Sequence, residues 1–551
     1  MQPKYEANAH QKTQFLSQKP TLRLLVIGFL FITAFAIRLH HITMPPLDFA
    51  PIRQYQLAHI ARGYYFENLE SIPEWRKQIA RLNMKRMGLL LEPRIIDHAV
   101  VFGYRIMGGE HLWIPRVLSA IFWIVGGVFL YLIAGKILSL GAALFSTVFY
   151  LFLPFGISAS RSFQPDPFMV MLLLFSIFMI LKYYERPSLS KLIIAAIVSS
   201  SAMLIKPYSI FLIFGAFISI SIYRHDIRKS LINRDMLIFI FLSPLPGAVY
   251  YLSGLLTDVG FLRENTQTSF LPHLLLSPSF WKDWLAMIAR VVGLIAFTGA
   301  FLGLFIIRDG LSRALLIGLW IGYFIFGLVF TYHIHTHDYY QLQFIPVVAL
   351  SLGPVGALVI NRLFRLFSSR RRIAILLVFF LVLIFGISIN INKVQRRDYN
   401  GYLKIFGYVI GINPQFYKFI NEDFEKEVRI AKEIGEIVNH SSKTVFLTPD
   451  YGRSLAYHGE LSGFSWLTSG SLKEWKLKGI RAPNREELFN LRYLTIKTRG
   501  KYIKYTPEYF LITDFDEFGK QPDLKDFLHT NFPVMAKSDD YLIFDLRSMS
   551  D

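Results

Sequence analysis

The sequence of 551 residues is 53% hydrophobic and only 18% charged, which is typical of a polytopic membrane protein and excludes a chain of several soluble domains. Its formal charge of +20 would indicate nucleic acid in a soluble protein, but here much of that charge lies in short loops between apolar segments. We find no nucleic-acid-binding motif and expect no nucleic-acid partner. The absence of cysteine excludes disulfides, thiolate metal sites and thiol catalysis.

The first 38 residues comprise a polar segment and an apolar one. Residues 1–23 predict a cytoplasmic tail, and residues 24–37 form an apolar run that ends at Arg38. The run is short enough for a signal peptide, and Ala34-Phe35-Ala36 resembles a cleavage site. We favour an uncleaved first span, because the following residues extend the helix and Arg38 can reach the membrane interface. Both interpretations put the next loop on the non-cytoplasmic side.

This long external loop, residues 44–110, contains the acid on which the functional prediction depends. Asp48 lies beside two guanidinium groups, Arg53 and Arg62, in the segment PPLDFAPIRQYQLAHIARGYYFE at residues 45–67. A carboxylate at the rim of a bilayer loses part of its hydration, and nearby cations offset that loss. Such an acid can be tuned to accept a proton from an acceptor hydroxyl or amine. The alternative is that Asp48 only caps a short helix.

The same loop carries a basic amphipathic segment, residues 73–93. Its Arg and Lys side chains alternate at helical spacing with apolar ones that include Trp75 and Ile79. The pattern predicts a helix that lies on the membrane, with a solvated helix packed on the protein as the alternative. Glu92, near the end of the segment, is in position to orient Arg53 or a sugar hydroxyl.

Further apolar segments are long enough, or nearly so, to cross about 30 Å of hydrocarbon as helices. They are residues 112–135, 139–157, 166–183, 191–206, 207–223, 236–255, 286–307, 314–332, 340–361 and 373–391. With the first span, the sequence predicts about 11 transmembrane helices. Lys and Arg are concentrated in alternate loops, so the N-terminus is predicted to be cytoplasmic and the C-terminus extracytoplasmic.

From about residue 393 the composition changes to that of a soluble domain. The patterns predict helices at residues 427–438 and 524–529, and strands at residues 443–448, 509–513 and 541–546. We therefore expect a mostly α polytopic membrane protein with a transmembrane catalytic domain at residues 24–392. A small extracytoplasmic α/β domain at residues 393–551 follows it.

Ionisable side chains near the outer ends of the spans are informative, because burying them is costly without a partner or a purpose. Asp166 opens the fourth span, shortly after Arg161. It is either an N-terminal acid stabilised by the helix dipole or a member of one external cleft with Asp48, holding an acceptor or a metal. Arg116 opens the second span and is available to pair with one of these acids.

Lys206 lies between two spans that almost no loop separates. A lone ammonium group in this place predicts an anionic partner such as a lipid phosphate. The alternative is a side chain that only reaches the membrane interface.

The segment YHIHTHDYY, residues 332–340, joins the ninth and tenth spans. His335 and His337, together with His333, are candidate ligands of a divalent metal such as zinc. The favoured interpretation is that the histidines and Tyr339 donate hydrogen bonds to a phosphate, and a hydrated interfacial loop is the third alternative. No cofactor is predicted beyond this candidate metal.

Taken in order, these motifs resemble the GT-C superfamily of glycosyltransferases, in the branch that contains protein O-mannosyltransferases and lipid A aminoarabinose transferases. The resemblance covers about residues 30–360. It is carried by Arg38, LDFAPIRQYQLAHIARGYY, Glu92-Pro93, WIPRVLS, SRSFQPDP, the lysine of LIKP and HDYYQLQFIP. The sequence departs from many relatives in that Phe49, rather than a second acid, follows Asp48.

The resemblance implies transfer of a sugar from a polyprenyl-phosphate donor to a glycan, lipid or protein acceptor, on the outer face of the cell membrane and with inversion at the anomeric carbon. Asp48 would be the general base. The donor phosphate would be held by Lys206, His337, Arg53 and Tyr339. The acceptor side of the cleft would include Asp166, Glu92, Arg116 and Arg161.

The C-terminal segment TPDYGRSLAYHGELSGF also resembles the soluble domains of these enzymes, which we expect to recognise the acceptor or cap the cleft. The alternative from another class is a non-enzymatic flippase or transporter of lipid-linked sugars. Transporters tend to have paired repeats and helices broken near the midplane, and the spans of this sequence show no repeat.

Overall fold

The structure, a computed structural model, describes residues 20–87, 92–231, 233–257, 266, 268–366, 424–479, 494–498 and 501–547. The helices of its first part are α1 Pro20–Leu39, α2 Pro51–Glu67, α3 Glu74–Met87, α4 Ile95–Met107, α5 Trp113–Ile137, α6 Leu140–Phe152, α7 Pro154–Ser160, α8 Asp166–Glu185, α9 Leu189–Ile205, α10 Ile210–His225, α11 Ile227–Leu231, α12 Arg234–Leu242, α13 Leu245–Thr257, α14 Pro278–Val292, α15 Leu294–Ile306, α16 Gly310–Val329, α17 Thr331–Thr336 and α18 Phe344–Leu366. Short 3-10 helices occupy Pro207–Ser209, Pro272–Leu276 and Asp338–Gln343.

The C-terminal domain contains both strands and helices. They are α19 Glu425–Ile437, β1 Thr444–Leu447, α20 Arg453–His458, β2 Gly463–Ser465, α21 Ser469–Leu477, β3 Leu494–Thr498, β4 Lys501–Tyr505, β5 Tyr509–Ile512, α22 Phe515–Gly519, α23 Pro522–Asn531, β6 Val534–Lys537 and β7 Leu542–Asp545.

Several helices of the first part are long and apolar enough to cross a membrane. In the described part of the chain seven unbroken stretches meet this description: Pro20–Leu39, Trp113–Ile137, Asp166–Glu185, Pro207–His225, Arg234–Leu256, Gly310–Val329 and Asp338–Arg362. Two bent pairs, α6 with α7 and α14 with α15, bring the number up to nine, and α9 is a shorter apolar helix. The predicted polytopic membrane protein is confirmed. The span predicted at residues 373–391 lies outside the described residues, so the total of about 11 stays a prediction.

Two of the predicted spans are bent. The segment predicted at residues 139–157 bends by 56° between α6 and α7, where Pro154 has no N–H to continue the preceding helix. The segment predicted at residues 286–307 turns by 94° at Gly293, whose φ of 79° is in the left-handed region. The apolar pattern indicates the length of such a segment but not its direction.

Helices α10 and α16 pack with their backbones in close approach. A Cβ added to Gly318 would clash with the carbonyl oxygen of Gly215, and one added to Gly322 would clash with that of Phe211. Because the two glycines of GLWIG lie four residues apart, they open a groove on one face of α16 into which α10 fits. This packing fixes the start of α10, and Lys206 lies just before it.

The loop between the first two spans folds into α2, α3 and α4. Helix α2 is largely buried, and its Tyr55 and Ile60 belong to an apolar core that also includes Tyr457 of the C-terminal domain. Helix α3 packs on the protein, the second of the two alternatives for this segment. Arg76 Nε donates to Glu460 at 2.8 Å, and Asn83 Nδ2 donates to the Leu461 carbonyl at 2.8 Å.

The C-terminal domain is built on a five-stranded sheet in the order β2-β1-β5-β7-β6. Strand β1 pairs in parallel with β2 and β5, and β7 pairs antiparallel with β5 and β6. Val445 and Phe510 face one apolar core, while Phe446 and Leu511 face another that includes residues of α19 and α20. Both faces of the central strands are therefore covered, which explains their continuous apolar sequence. The predicted small α/β domain is confirmed.

The predicted helices and strands of this domain agree with α19, β1, β5, α23 and β7 to within a few residues. Strands β2 and β6 and the hairpin β3–β4 were not predicted. Strand β2 has only three residues and β6 is mostly exposed, so neither shows an apolar pattern. The predicted boundary near residue 393 lies outside the described residues.

Candidate active site

A cavity of about 1550 Å³ lies between the helical part and the C-terminal domain. Its wall includes six of the predicted site residues: Asp48, Arg53, Glu92, Lys206, His337 and Tyr339. They come from distant parts of the chain, namely the start of α2, the loop before α4, the turn before α10 and the segment after α17. Folding therefore brings the acid, the cations and part of the histidine segment to one chamber.

Asp48 lies in the turn that precedes α2. Pro51 is the first residue of that helix, and the left-handed conformation of Ala50 (φ 41°) reverses the chain just before it. Arg116 Nη2 donates to Asp48 Oδ2 at 2.6 Å, and Arg161 Nε lies 3.7 Å from the same oxygen. Because both arginines are 1% exposed, these charge-assisted contacts hold the carboxylate in one orientation.

Arg116 and Arg161 lie behind Asp48 and do not line the cavity. Arg116 Nη1 donates to the Met44 carbonyl at 2.7 Å, and Arg161 Nη2 donates to the His41 carbonyl at 2.9 Å. The predicted pairing of Arg116 with an acid is confirmed. Their predicted place in the acceptor cleft is corrected, because both side chains hold the turn that carries Asp48.

Glu92 joins Arg53 to Lys206. Its Oε1 accepts a hydrogen bond from Arg53 Nη2 at 2.8 Å and another from Lys206 Nζ at 2.7 Å. Burial would raise the pKa of Glu92, but the positive charges of Arg53 and Lys206 outweigh burial and lower the pKa to about 2. The predicted interaction of Glu92 with Arg53 is confirmed. Two cations on one carboxylate make this part of the cavity attractive to an anion.

Asp166, the first residue of α8, lies behind Lys206. Its Oδ1 accepts a 2.6 Å hydrogen bond from the Tyr208 hydroxyl, and its Oδ2 lies 3.6 Å from Lys206 Nζ. Asp166 is fully buried and does not line the cavity. It therefore holds Lys206 and Tyr208 in place, which corrects its predicted position in the acceptor cleft.

The three histidines of the segment after α16 do not converge. His333 and His337 lie four residues apart, line the cavity and have ring centroids 5.5 Å apart. His335 lies on the other side of α17 with its ring edge-on to Phe280, 5.3 Å between centroids. The two candidate metal ligands His335 and His337 therefore lie in different surroundings, and only His337 lines the cavity. Within the described parts of the chain, no three His, Cys, Asp or Glu side chains are grouped to hold a metal ion.

His337 is neutral at physiological pH. Burial lowers its pKa to about 4, and the charge of Lys478 adds to this shift while Glu474 opposes it. A neutral imidazole donates one hydrogen bond and contributes no charge. The positive charge beside His337 therefore comes from residues such as Arg53 and Lys206.

One side of the cavity is apolar. Its lining residues there include Met203, Phe211, Tyr251, Leu252 and Phe330. They belong to α9, α10 and α13 and to the end of α16, which are apolar helices of the membrane part. The cavity thus joins a charged region to an apolar surface, an arrangement that fits an amphipathic ligand with an anionic head.

Tyr208 and Arg453 are among the cavity residues that were not predicted. The Tyr208 hydroxyl bonds Asp166, and Arg453 of α20 reaches the cavity wall from the C-terminal domain. Tyr208 has the appearance of an ordinary interfacial aromatic residue in the sequence. The segment TPDYGR predicted the turn before Arg453. Nothing in that segment indicates that Arg453 bonds to Ile52, which lies some 400 residues earlier in the chain.

A protein-family profile described as dolichyl-phosphate-mannose-protein mannosyltransferase matches residues 92–250. The matched segment contains Glu92, Arg116, Arg161, Asp166 and Lys206. It begins after Asp48 and ends before the histidine segment. A search of curated proteins by sequence returned no match.

Among solved structures, the fold is similar to that of ArnT from Cupriavidus metallidurans bound to undecaprenyl phosphate. The TM-score is 0.56 at 13% identity, over 96% of this chain and 99% of the ArnT chain. Weaker similarity extends to the Archaeoglobus fulgidus oligosaccharyltransferase in its apo form, with a TM-score of 0.44 at 11% identity over 88% of this chain and 69% of that one. For the oligosaccharyltransferase AglB from the same organism, in complex with an inhibitory peptide and a dolichol-phosphate, the TM-score is 0.43 at 10% identity. The match covers 91% of this chain and 70% of the AglB chain.

The family profile and the shared fold confirm the predicted resemblance to the GT-C superfamily of membrane glycosyltransferases. The protein is a polytopic membrane protein with the fold of ArnT, extending from α1 into the C-terminal domain. Nothing in the comparisons supports a transporter.

Proposed function

We propose that this protein is a glycosyltransferase that moves a sugar from a polyprenyl-phosphate donor to an acceptor hydroxyl or amine. The observation that carries the proposal is one cavity lined by Asp48 and by the cations Arg53 and Lys206 beside an apolar wall. A lipid-phosphate donor needs an apolar surface for its chain and cations for its phosphate, and the acceptor needs a base.

The donor phosphate would bind where Glu92 now bridges the two cations. Lys206 Nζ and Arg53 Nη2 both point at Glu92 Oε1, and a phosphate oxygen beside it can accept from the same groups. His337 and Tyr339 line the same cavity and would donate further hydrogen bonds to the phosphate. The polyprenyl chain would lie against the apolar wall.

In the proposed reaction, the acceptor oxygen or nitrogen attacks the anomeric carbon from the side opposite the phosphate. The new bond to this carbon forms as its bond to the phosphate oxygen breaks, so the configuration inverts. Polyprenyl phosphate leaves, and its added negative charge is stabilised by Arg53 and Lys206. Asp48 takes the proton that the acceptor loses, while Arg116 and Arg161 keep its carboxylate in place.

Two comparisons support this assignment. The matching profile describes an enzyme that uses a lipid-phosphate sugar, and ArnT, which shares the fold, is bound to undecaprenyl phosphate. The proposal covers hexose and pentose donors, and glycolipid, polysaccharide and protein acceptors of the cell envelope.

The proposed site of action is the outer face of the cell membrane. The distribution of Lys and Arg among the loops supports a cytoplasmic tail at residues 1–23, a transmembrane catalytic domain at residues 24–392 and an extracytoplasmic domain at residues 393–551. In this orientation the cavity opens toward the non-cytoplasmic side, where the acceptors of the cell envelope are found.

The proposal is tested by mass spectrometry of surface glycans and glycolipids from cells with and without this protein. We expect one class of glycan or glycolipid to lose one type of sugar, which identifies both the donor sugar and the acceptor class. An unchanged glycan profile with a redistributed lipid-linked sugar would overturn the proposal and indicate a transporter.

A further inference from the structure

The C-terminal domain contributes a cation to the cavity. Arg453, the first residue of α20, donates through Nη1 to the Ile52 carbonyl at 2.7 Å and to Gln56 Oε1 at 3.1 Å. The same Gln56 oxygen accepts a hydrogen bond from Arg53 Nη1 at 3.2 Å. Two guanidinium groups that share one acceptor atom lie side by side, so Arg453 is a neighbour of the cations proposed to hold the donor phosphate.

The acids around these cations do not neutralise them. Glu92 pairs with both Arg53 and Lys206, and Asp166 lies 3.6 Å from Lys206. In the parts of the chain that the structure describes, no carboxylate lies within ion-pair distance of Arg453. Burial, together with the charge of Arg53, lowers the pKa of Arg453 to about 10, so the group stays charged at neutral pH. Arg453 therefore adds a third cation to Arg53 and Lys206.

The nearby acid of the C-terminal domain, Asp450, opposes the lowering of the Arg453 pKa but forms no ion pair with Arg453 in the described part of the chain. Asp450 is buried, and its Oδ2 accepts the backbone N–H of Ser454 at 2.8 Å. A further cation, Arg86 of α3, also lines the cavity and donates to Ser462 Oγ at 2.7 Å, with its guanidinium 4.3 Å from the centre of the Phe464 ring. Helix α3 and the C-terminal domain thus each add an arginine to the cavity, while Lys478 of the domain is paired with Glu474.

Docking of the domain does not by itself require a guanidinium at position 453. Tyr55 and His458 are joined by a 2.8 Å hydrogen bond, Arg62 Nη1 donates to the Tyr457 carbonyl at 2.6 Å, and α3 makes its own contacts with the domain. Arg453 uses only Nη1 in its hydrogen bonds with α2, so its other terminal nitrogen is available to bind a ligand in the cavity.

We infer that Arg453 is a substrate-binding residue that contacts a phosphate group in the cavity, so that the C-terminal domain completes the site. This inference rests on the proposed function and extends it to a second domain. The phosphate has two sources, the polyprenyl-phosphate donor or a phosphorylated glycolipid acceptor. Both present the same tetrahedral anion, which arginine binds well because its nitrogens match the phosphate oxygens.

The test compares Arg453→Gln, Arg453→Lys and the matched interface control Arg76→Gln in the full-length protein in nanodiscs. Arg76 pairs with Glu460 at the same domain interface and does not line the cavity. Undecaprenyl phosphate is the probe for the donor, and lipid A in micelles is the probe for a phosphorylated acceptor. Limited proteolysis reports whether the C-terminal domain stays docked.

We expect Arg453→Gln to weaken binding of one probe about tenfold, with Arg453→Lys within a few-fold of wild type and Arg76→Gln unchanged. The probe that Arg453→Gln binds more weakly identifies the source of the phosphate.

Unchanged binding of both probes by Arg453→Gln overturns the inference. An equal loss of binding in Arg76→Gln also overturns it, because it would indicate that Arg453 only docks the domain. If Lys206→Ala loses undecaprenyl phosphate while Arg453→Gln keeps both probes, the inference fails and the proposed function stands. If the wild-type protein binds neither probe, both fail.

Discussion

Arg116 donates a 2.6 Å hydrogen bond to Asp48 Oδ2 across 68 residues of sequence. Both side chains are almost fully buried, so neither can turn away without leaving a buried charge unpaired. The other carboxylate oxygen of Asp48, Oδ1, accepts a hydrogen bond from the backbone N–H of Phe49 at 3.1 Å. Asp48 itself is part of the cavity wall. The second span thus fixes the candidate base relative to the cations that face it.

Replacing Asp48 by asparagine tests the proposed base directly. Asn keeps the size of the side chain but does not act as a base, so we expect sugar transfer to fall at least about a hundredfold. Binding of undecaprenyl phosphate should stay within a few-fold of wild type, because Lys206 and Arg53 are unchanged. Transfer is measured by mass spectrometry of the acceptor, and binding with the protein in nanodiscs.

Loss of the charge partner of Arg116 will also destabilise the variant, so its melting temperature must be measured and activity compared well below it. Asp235→Asn is a matched control, because Asp235 accepts a hydrogen bond from Tyr183 and does not line the cavity. Full transfer activity in Asp48→Asn would remove Asp48 from the proposed mechanism.

Lys206→Ala is expected to weaken binding of undecaprenyl phosphate about tenfold or more, which corresponds to the loss of one charge-assisted hydrogen bond. In this variant Arg53 is the only one of the two cations that still bonds to Glu92. Lys136→Ala is the control, because Lys136 pairs with Glu185 and does not line the cavity. Unchanged affinity in Lys206→Ala would return this lysine to the role of an interfacial anchor.

Glu92 makes stability depend on pH in the acid range. Its pKa is lowered from 4.5 to about 2, so its stabilising contribution is complete above pH 4.5 and is lost as the pH falls toward 2. The difference corresponds to about 3 kcal/mol. Glu92→Gln should therefore be less stable than wild type at pH 6, and the two should converge near pH 2. Thermal unfolding in detergent across this range measures the effect, and a constant difference would contradict it.

Asp97, in α4, makes the stability of the protein depend on pH in the opposite direction. Burial raises its pKa to about 6, with the charge of Arg94 opposing the shift. The buried carboxyl binds its proton more tightly in the folded protein, so stability falls as the pH rises from about 4 to 6. Asp97→Asn should match wild type at pH 4 and exceed it by about 3 kcal/mol above pH 6. Unfolding of both proteins at pH 4 and pH 7.5 gives the result, and a variant that is less stable at pH 7.5 would refute the prediction.

The membrane part of the fold was predictable because the thickness of a bilayer fixes the length of an apolar helix. Continuous apolar runs likewise indicated β1 and β5, whose two faces are both covered. The directions of the helices were not predictable. The 94° turn at Gly293, for example, depends on packing contacts that a hydropathy pattern does not reveal. The position of α3 on the protein depends on Glu460 and Leu461, which are distant in sequence.

The site was predictable to the extent that buried charges need partners. Lys206 was expected to bind an anion such as a lipid phosphate, and Glu92 to orient Arg53 or a sugar hydroxyl. In the structure Glu92 accepts hydrogen bonds from both Arg53 and Lys206. His335 and His337 were both candidate metal ligands because imidazole binds zinc, but His335 lies within α17 against Phe280 and His337 follows that helix and lines the cavity. Arg453 could not be found because its contacts with α2 form only after the whole chain has folded.

The contact between α10 and α16 gives a test of the fold that is independent of the chemistry. A methyl group at Gly318 has no space, because it meets the Gly215 carbonyl and the side chain of Ser219. We expect Gly318→Ala to lower stability by about 1–3 kcal/mol, since the two helices must separate to accept it. Gly135→Ala on α5 is the matched control, because nothing lies within 4 Å of the added Cβ, and there the helix propensity of alanine should make the change neutral or stabilising. The melting temperature and the monodispersity of the two variants in the same detergent decide the question: equal values would mean that α10 and α16 do not pack through these glycines.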